Sequence, residues 1–335
     1  MIKSCLPIRS PWVPICAFAV LIAASSAIAC QVPVFRYALE RWPADRYEIV
    51  ILHDGPLSEA DKARVKKLQD PDNQAAVPAN LDVRAIDAGD IKDDLLAALW
   101  KQHDQPEQPL MAVLYPRNAR EVPDRVVQVS ALTDKSIEFL VDSPVRQQIA
   151  DKVIKGESAV WIFVPSGDPQ QDASAKKILT QQALLNQQQL KLPPQEELDS
   201  EEEFLEEVDI ELRIGFSIVT LDRDDPKEQF LLQMLLASEP DLEQLKQPMA
   251  FPVLGRGRVL YALVGKGINQ ETIGMASRFI VGPCSCQVKE QNPGFDLLLG
   301  FDWEEKIAGS TISDPLPERS EKPVLLTIPP GKSKR

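Results

Sequence analysis

The residues with the clearest chemical potential are two cysteines, Cys284 and Cys286, separated by a single serine. Two thiols this close can form a small-ring disulfide whose strain raises its reduction potential, which is typical of thiol exchange. They also offer two soft ligands to Cu(I) or Zn(II), although a closed zinc site needs four ligands. A third interpretation is structural, because a paired or buried doublet stabilises a loop. Lys289 is close enough in sequence to lower a thiol pKa, but a solvated lysine at a helix end is its commoner role.

Another cysteine, Cys30, follows a segment typical of an export signal. Residues 1–29 begin with two cations, continue with an apolar run too short for a membrane span of about 20 residues, and end in small residues. Cleavage would leave Cys30 either unmodified or acylated as in lipoproteins, and Ala27 stands where lipoprotein signals usually have leucine.

Cys30 and Arg36 have the spacing of a phosphatase loop. We reject that interpretation, because the five intervening residues include no glycine to aim N–H groups at a phosphate.

Two predicted strand-to-helix junctions contain polar residues. His53-Asp54 suggests a general base oriented by a carboxylate, or more simply a capped structural turn. Ser166-Gly167-Asp168 lacks the glycine context of a nucleophilic serine, so a turn with an aspartate at a helix start explains it.

Glycine-flanked cations occur near Gly255-Arg256-Gly257-Arg258 and Gly265-Lys266-Gly267. Their spacing fits neither the Walker pattern nor the dinucleotide fingerprint, and hairpin turns need such glycines anyway. A small anion or partner contact through Arg256 and Arg258 is the remaining functional hypothesis.

The overall charge predicts which partners the chain avoids. Of the 335 residues, 44% are hydrophobic and 26% charged, as in ordinary globular proteins. The formal net charge is −13, and loss of residues 1–29 would leave 35 Lys and Arg against 50 Asp and Glu, a charge of −15. Because this balance repels phosphate backbones and the sequence has no basic stripe, we expect no nucleic-acid binding.

The cysteines left after residue 29 are too few for a disulfide framework, so the fold must depend on its hydrophobic cores.

Strands and helices alternate in the same order, β α β α β β α, in each half of the chain. A proline, Pro109 in the first half and Pro248 in the second, precedes the third strand of each set, and the segments QPLMAVLYPR and QPMAFPVLGR align. A short helix over 34–42, ended by Pro43, is expected to pack on the first domain. The predicted strands are 47–52, 81–86, 110–115, 126–132, 159–164, 210–221, 249–254 and 259–264, and the main predicted helices are 58–69, 91–101, 144–155, 172–190 and 226–237, with another around 273–280.

This order, with a proline before the third strand, resembles the thioredoxin-like fold. The resemblance implies two tandem domains with mixed sheets flanked by helices, and implies that Pro109 and Pro248 match the cis-proline beside the family's active site. Redox-active members have C-x-x-C where the first strand meets the first helix, and neither junction here contains cysteine. The resemblance is therefore to redox-silent members. The segments CQVPVFRYALERW and GPCSCQVKEQNPG are also similar to a family of exported bacterial proteins, which implies export but no activity.

The sequence thus predicts an α/β protein that is exported to the periplasm or cell envelope, where it is either free or, if Cys30 is acylated, attached to a membrane through that lipid alone. We expect a binding or scaffold role without a cofactor and with a protein partner outside the cytoplasm. The alternative is thiol-disulfide exchange or copper handling through Cys284 and Cys286. The expected divisions are a signal peptide over 1–29, domains over 30–156 and 157–305, an acidic connector over 193–208 and a disordered tail over 306–335.

Overall fold

A computed structural model of the chain describes residues 32–69, 78–103, 109–193, 210–283 and 288–307. Two mixed β-sheets follow one another along this part of the chain. The first has the strand order β2-β1-β3-β4, in which β1 and β2 are parallel and the other neighbours are antiparallel. Its strands are β1 (Tyr47–His53), β2 (Leu81–Asp87), β3 (Leu110–Leu114) and β4 (Val126–Ala131).

The second sheet repeats that arrangement. Its order is β10-β8-β7-β5-β6, with β5 and β6 parallel, and β7 antiparallel to both β5 and β8. Its strands are β5 (Ala159–Val164), β6 (Phe216–Thr220), β7 (Met249–Leu254), β8 (Arg258–Val259), β9 (Leu263–Val264) and β10 (Phe295–Asp296). Both halves are thus α/β domains with mixed sheets, as predicted, and the shared strand order is compatible with a thioredoxin-like fold.

The helices begin where local capping chemistry allows. The Ser58 hydroxyl accepts from Asp61 N (3.1 Å), as the serine and aspartate spacing predicts, and Asp93 caps the next helix in the same way. Among the described residues the α-helices are α1 (Val34–Arg41), α2 (Glu59–Gln69), α3 (Asp94–Gln102), α4 (Asp134–Glu138), α5 (Pro144–Ile154), α6 (Pro169–Gln189), α7 (Gln229–Leu236), α8 (Gln270–Val281) and α9 (Trp303–Ile307). None of the helices in these ranges is long and apolar enough to cross a membrane.

The two sheets share one hydrophobic core, which we call the central core. Ile49 and Met111 project into it from the first sheet, and Ile162 and Phe251 from the second, all fully or nearly fully buried. Helix α5 of the first domain contacts β5 and β6, while α7 of the second domain contacts β4. Each domain thus packs a helix against the sheet of the other. Since burying one large apolar side chain contributes about 1.5–3 kcal/mol, the side chains buried in this shared core stabilise the association of the two domains.

The outer face of each sheet has its own core. Helix α3 covers the first sheet, where Leu96 packs near Val50 and Leu52. Helices α1, α6 and α8 cover the second sheet in a cluster that includes Trp161 and Phe163. Strands β3, β5 and β7 therefore bury alternate side chains on two faces, which explains their continuous apolar sequences.

Helix α1 is in a different place from the one predicted. Its buried side chains, including Phe35 and Ala38, join the outer core of the second domain, and α1 contacts α8 and β7. Val34 N donates to Gly282 O (2.9 Å), and Pro33 forms an antiparallel bridge with Pro283. The expectation that this helix packs on the first domain was wrong, because its apolar face matches the second sheet.

Some element boundaries also differ from the sequence expectation. Strand β6 begins at Phe216, not at residue 210, and residues 210–215 are irregular. The second arm of the predicted hairpin is divided into β8 and β9, both paired with β7. The acidic connector over 193–208 and the tail over 306–335 lie almost wholly outside the described residues.

Candidate functional site

The three cysteines singled out in the sequence, Cys30, Cys284 and Cys286, lie outside the described residues. Their described neighbours are held in place. The bridge between Pro33 and Pro283 joins the chain three residues after Cys30 to the chain one residue before Cys284. Gly282 and Pro283, the last described residues before Cys284, are thus attached to the start of α1.

On the other side of that segment, Lys289 is buried instead of solvated, so the prediction of a solvated helix-end lysine was wrong. Only 8% of Lys289 is exposed, and its ammonium contacts Asp296 and lies 3.0 Å from Asp45 Oδ1. It also donates to Pro43 O. These contacts anchor the chain after the cysteines to the loop between α1 and β1.

The second cation of this cluster is Arg258. Its Nη1 lies 3.1 Å from Asp296 Oδ1, and its other nitrogens donate to Asn292 O (2.7 Å) and Pro293 O (3.0 Å). Two carboxylates and two cations are therefore enclosed together. Burial raises the pKa of Asp45, the charge of Asp296 adds to this, and Lys289 opposes it.

Arg256 is also internal and stabilises α1. It donates to Leu39 O (2.7 Å) and Glu40 O (3.2 Å), which are carbonyls in the last turn of that helix. Gly255 has φ +54°, and a Cβ there would lie 2.7 Å from Ala38 Cβ, so the turn needs glycine to approach the helix. The hypothesis of an anion or partner contact through Arg256 and Arg258 was wrong, because their charges are satisfied inside the protein.

The first strand-to-helix junction is a turn closed by its own hydrogen bonds. His53 Nδ1 lies 2.7 Å from Gly55 O, and because a carbonyl only accepts, Nδ1 bears the proton. The nearest carboxylate is Asp87, 3.8 Å from Nδ1, and it accepts from Gly55 N (3.1 Å). The junction is therefore a structural turn, the simpler of the two interpretations, and the carboxylate beside it is Asp87, opposite His53 in the parallel strand pair, and not Asp54.

The second junction is closed in a similar way. Asp168 accepts from Gln170 N and Gln171 N at the start of α6, and these bonds lower its pKa. Asp172 accepts from both the hydroxyl and the amide of Ser166 at 2.7 Å. The prediction of a helix-starting turn is confirmed.

The two prolines lie directly before β3 and β7, as predicted. Pro109 O accepts from Leu132 N and Pro248 O accepts from Gly265 N, both at 2.8 Å, so each proline closes the hairpin that follows it. No cis peptide bond occurs among the described residues, so the bond before Pro248 is trans, whereas the bond before Pro109 involves the undescribed residue 108. Pro248 thus has the predicted position, but its trans bond differs from the cis-proline of the family that the sequence resembles.

A polar connection between the domains was not predicted. Glu228, 1% exposed, accepts from Ser143 Oγ (2.7 Å) and from Val145 N (2.8 Å) at the start of α5. Arg146 donates to the same hydroxyl (3.0 Å) and to Leu298 O (3.1 Å). A carboxylate of the second domain thus caps a helix of the first. Sequence could suggest only that Ser143 starts a helix.

An open groove of about 520 Å³ lies at the domain boundary between β4 and α7, and we call it the interdomain groove. Val126 and Leu236 provide apolar lining, and Asp124, Glu239 and Glu243 provide carboxylates from both domains. This surface can accommodate a chain segment with apolar and basic side chains.

A scan against models of known protein families found no match, and a search of curated proteins found none either. Among the described residues, no group of three or more His, Cys, Asp or Glu side chains could hold a metal ion. The class that the structure defines is a protein of two α/β domains with mixed sheets.

Proposed function

We propose that the chain is an exported binding or scaffold protein of two tandem thioredoxin-like domains, with a protein partner outside the cytoplasm. The observation that most supports this is the equivalence of the two junctions at His53 and Ser166. Each lies where redox members of the fold hold a reactive dithiol, and each is a cysteine-free turn closed by its own hydrogen bonds.

The strand order supports the thioredoxin-like part of the proposal. In both sheets the first strand lies between its parallel and its antiparallel neighbour, and a proline starts the antiparallel one. Leu52 pairs with Leu110, which brings Pro109 beside the His53 junction. Val164 pairs with Met249, which brings Pro248 beside the Ser166 junction.

The interdomain groove supports the binding part. Its carboxylates match a basic partner, and its apolar lining matches side chains that gain from leaving water. We therefore propose that the partner inserts an extended segment with apolar and basic side chains between β4 and α7.

The test compares two identical substitutions at exposed helical glutamines. Gln233→Arg places a cation in the groove, while Gln181→Arg places one on α6, away from it. Native pull-down with purified protein should recover the same partner with wild type and Gln181→Arg, and lose it with Gln233→Arg. Repeated recovery of nothing by wild type would contradict the binding role, and equal recovery by both variants would contradict the groove.

The alternative is thiol-disulfide exchange or copper handling by Cys284 and Cys286. What favours it is that described contacts hold both flanks of this segment, through Pro283 and Lys289. A reduction potential below about −300 mV would mark an inert structural disulfide and contradict exchange. Copper handling predicts stoichiometric Cu(I) that Cys284→Ser removes.

A further inference from the structure

A group of arginines lies on the first sheet, on the surface around Glu48. Arg117 Nε donates to Glu48 Oε1 (2.8 Å), Arg125 Nη2 lies 3.2 Å from the same oxygen, and Arg84 Nη2 lies 3.5 Å from Oε2. We call these four residues the Glu48 cluster. Three cations around one carboxylate leave an excess charge of +2 on a protein whose net charge is −13.

Strand geometry brings the cluster together. Glu48 is on β1, and Arg84 follows its pairing partner Asp82 by two positions on β2, hence on the same face. Arg117 follows β3, and Arg125 precedes β4, where its carbonyl accepts from Tyr115 N (2.8 Å). The first sheet thus supplies one cation from each of three strands or strand ends.

Arg125 has hydrogen-bonding capacity that the protein does not use. Its Nε and Nη2 are shielded from solvent without a hydrogen-bond partner among the described residues, although 33% of the side chain is exposed. The 3.2 Å contact of Nη2 with Glu48 is an ion pair whose angle does not suit a hydrogen bond. Such buried donors are normally satisfied, so they indicate a missing acceptor.

There is also room for a ligand beside the cluster. Arg84 lines an open cavity of about 520 Å³ between β2 and α3, together with Lys92, Asp90 and Asp93. Asp93 is occupied in capping α3. A molecule in this cavity could place an anionic group against Arg84, the member of the cluster that lines it.

We propose that the Glu48 cluster binds a phosphate-type oxyanion. A phosphate monoester has a charge of about −1.5 to −2 at neutral pH, which matches the excess of +2, whereas a phosphodiester headgroup has a charge of about −1 and offsets half of it. In both, the oxygens accept from the paired N–H groups that arginine presents. The oxyanion belongs to a free phosphate compound or to a lipid headgroup. Glu48 holds the arginines near one another while the site is empty and competes with the ligand for them.

The test is isothermal titration of the purified protein with inorganic phosphate at constant ionic strength. Arg117→Gln, at a largely exposed position, should weaken binding about tenfold or more, because it removes a hydrogen bond to a charged group. The matched control is Arg64→Gln, since Arg64 already pairs with two carboxylates, Asp61 (2.8 Å) and Asp134 (3.0 Å). Absence of saturable binding by wild type, or equal weakening by both variants, would overturn the proposal.

A second variant separates a ligand site from a simple ion-pair network. Glu48→Gln removes the competing carboxylate, so phosphate should bind more tightly and should raise the melting temperature of this variant more than that of wild type. A variant that is destabilised and gains nothing from phosphate would indicate a structural network and overturn the proposal. Vesicles identify the source: sedimentation with phosphatidylglycerol but not phosphatidylcholine, reversed by free phosphate, indicates a headgroup, whereas phosphate binding without sedimentation indicates a soluble compound.

Discussion

Replacing Glu228 by alanine tests the polar connection between the domains. The carboxylate accepts from Ser143 Oγ and Val145 N, and it lies beside the buried guanidinium of Arg146. Burial lowers the pKa of Arg146 to about 10, and the charges of Asp142 and Glu228 oppose that shift, so the arginine stays protonated at neutral pH. Glu228→Ala leaves two buried donors, Ser143 Oγ and Val145 N, without their acceptor, and it removes one of the two negative charges that favour the charged form of Arg146. At about 1–3 kcal/mol for each unsatisfied buried donor, we expect a loss of about 2–6 kcal/mol in the free energy of unfolding.

Urea unfolding followed by circular dichroism measures this loss, because the midpoint should fall without a large change in slope. Glu243→Ala is the matched control: it removes an exposed carboxylate of the same domain and should stay within about 0.5 kcal/mol of wild type. Glu228→Gln, which keeps one acceptor oxygen, should lie between the two. A Glu228→Ala protein within about 1 kcal/mol of wild type would refute the inference that this carboxylate couples the domains.

Three further predictions concern the buried cluster, the surface cluster and the cysteines. Asp296→Asn removes the carboxylate shared by two buried cations and should lower the free energy of unfolding by about 3–5 kcal/mol in urea; a loss below 1 kcal/mol would be inconsistent with buried pairing. For Glu48, burial raises the pKa, but the hydrogen bond from one arginine and the charges of its neighbours outweigh this and lower it below the ordinary value of 4.5. Its carboxylate therefore stabilises the fold above about pH 4.5, and this contribution disappears as the pH falls through the lower folded-state pKa. The stability gap between wild type and Glu48→Gln, measured in urea, should thus be present at pH 7 and close in acid; a gap independent of pH would contradict this origin. Intact mass of the protein alkylated before and after reduction tests the cysteines. A diacylglycerol on Cys30 leaves Cys284 and Cys286 as the only thiols that can pair, whereas an unmodified Cys30 can itself bond to one of them. Alkylation of all three cysteines without reductant would exclude any disulfide among them.

Much of the fold was predictable because its strands are local apolar runs. Strand β5 has the predicted bounds, and β7 is one arm of the predicted hairpin, since strands buried on both faces are apolar throughout. Residues 210–215 show the limit of that reasoning. They have strand-like composition, but β6 pairs with β5 only from Phe216 onward, where Ala159 provides the partner. Pairing depends on the neighbouring strand, which composition does not reveal.

The sites were predictable only where they are local. The cap at Asp168 uses residues two and three positions away, so the sequence was sufficient. The carboxylate that closes the His53 turn by accepting from Gly55 N belongs to Asp87, 34 positions away from His53, and the sequence did not reveal it. The Glu48 cluster was missed for the same reason. The arginines of this cluster are far apart in sequence and are brought together by strand pairing, so the sequence shows no basic stripe.

Two groups of arginines among the described residues differ in what they bind. Four buried ones each donate to a backbone carbonyl, and three of these bonds join segments 152 to 217 positions apart: Arg36 to Ile210 O, Arg146 to Leu298 O and Arg256 to Leu39 O. The fourth, from Arg258 to Asn292 O, spans 34 positions. In a chain with few cysteines, these bonds act as non-covalent cross-links. The arginines of the Glu48 cluster do something else. Within the described residues their side chains donate to no carbonyl, and they converge on one carboxylate at the surface. The carbonyl cross-links therefore do not use this group, which supports the proposal that it binds an oxyanion.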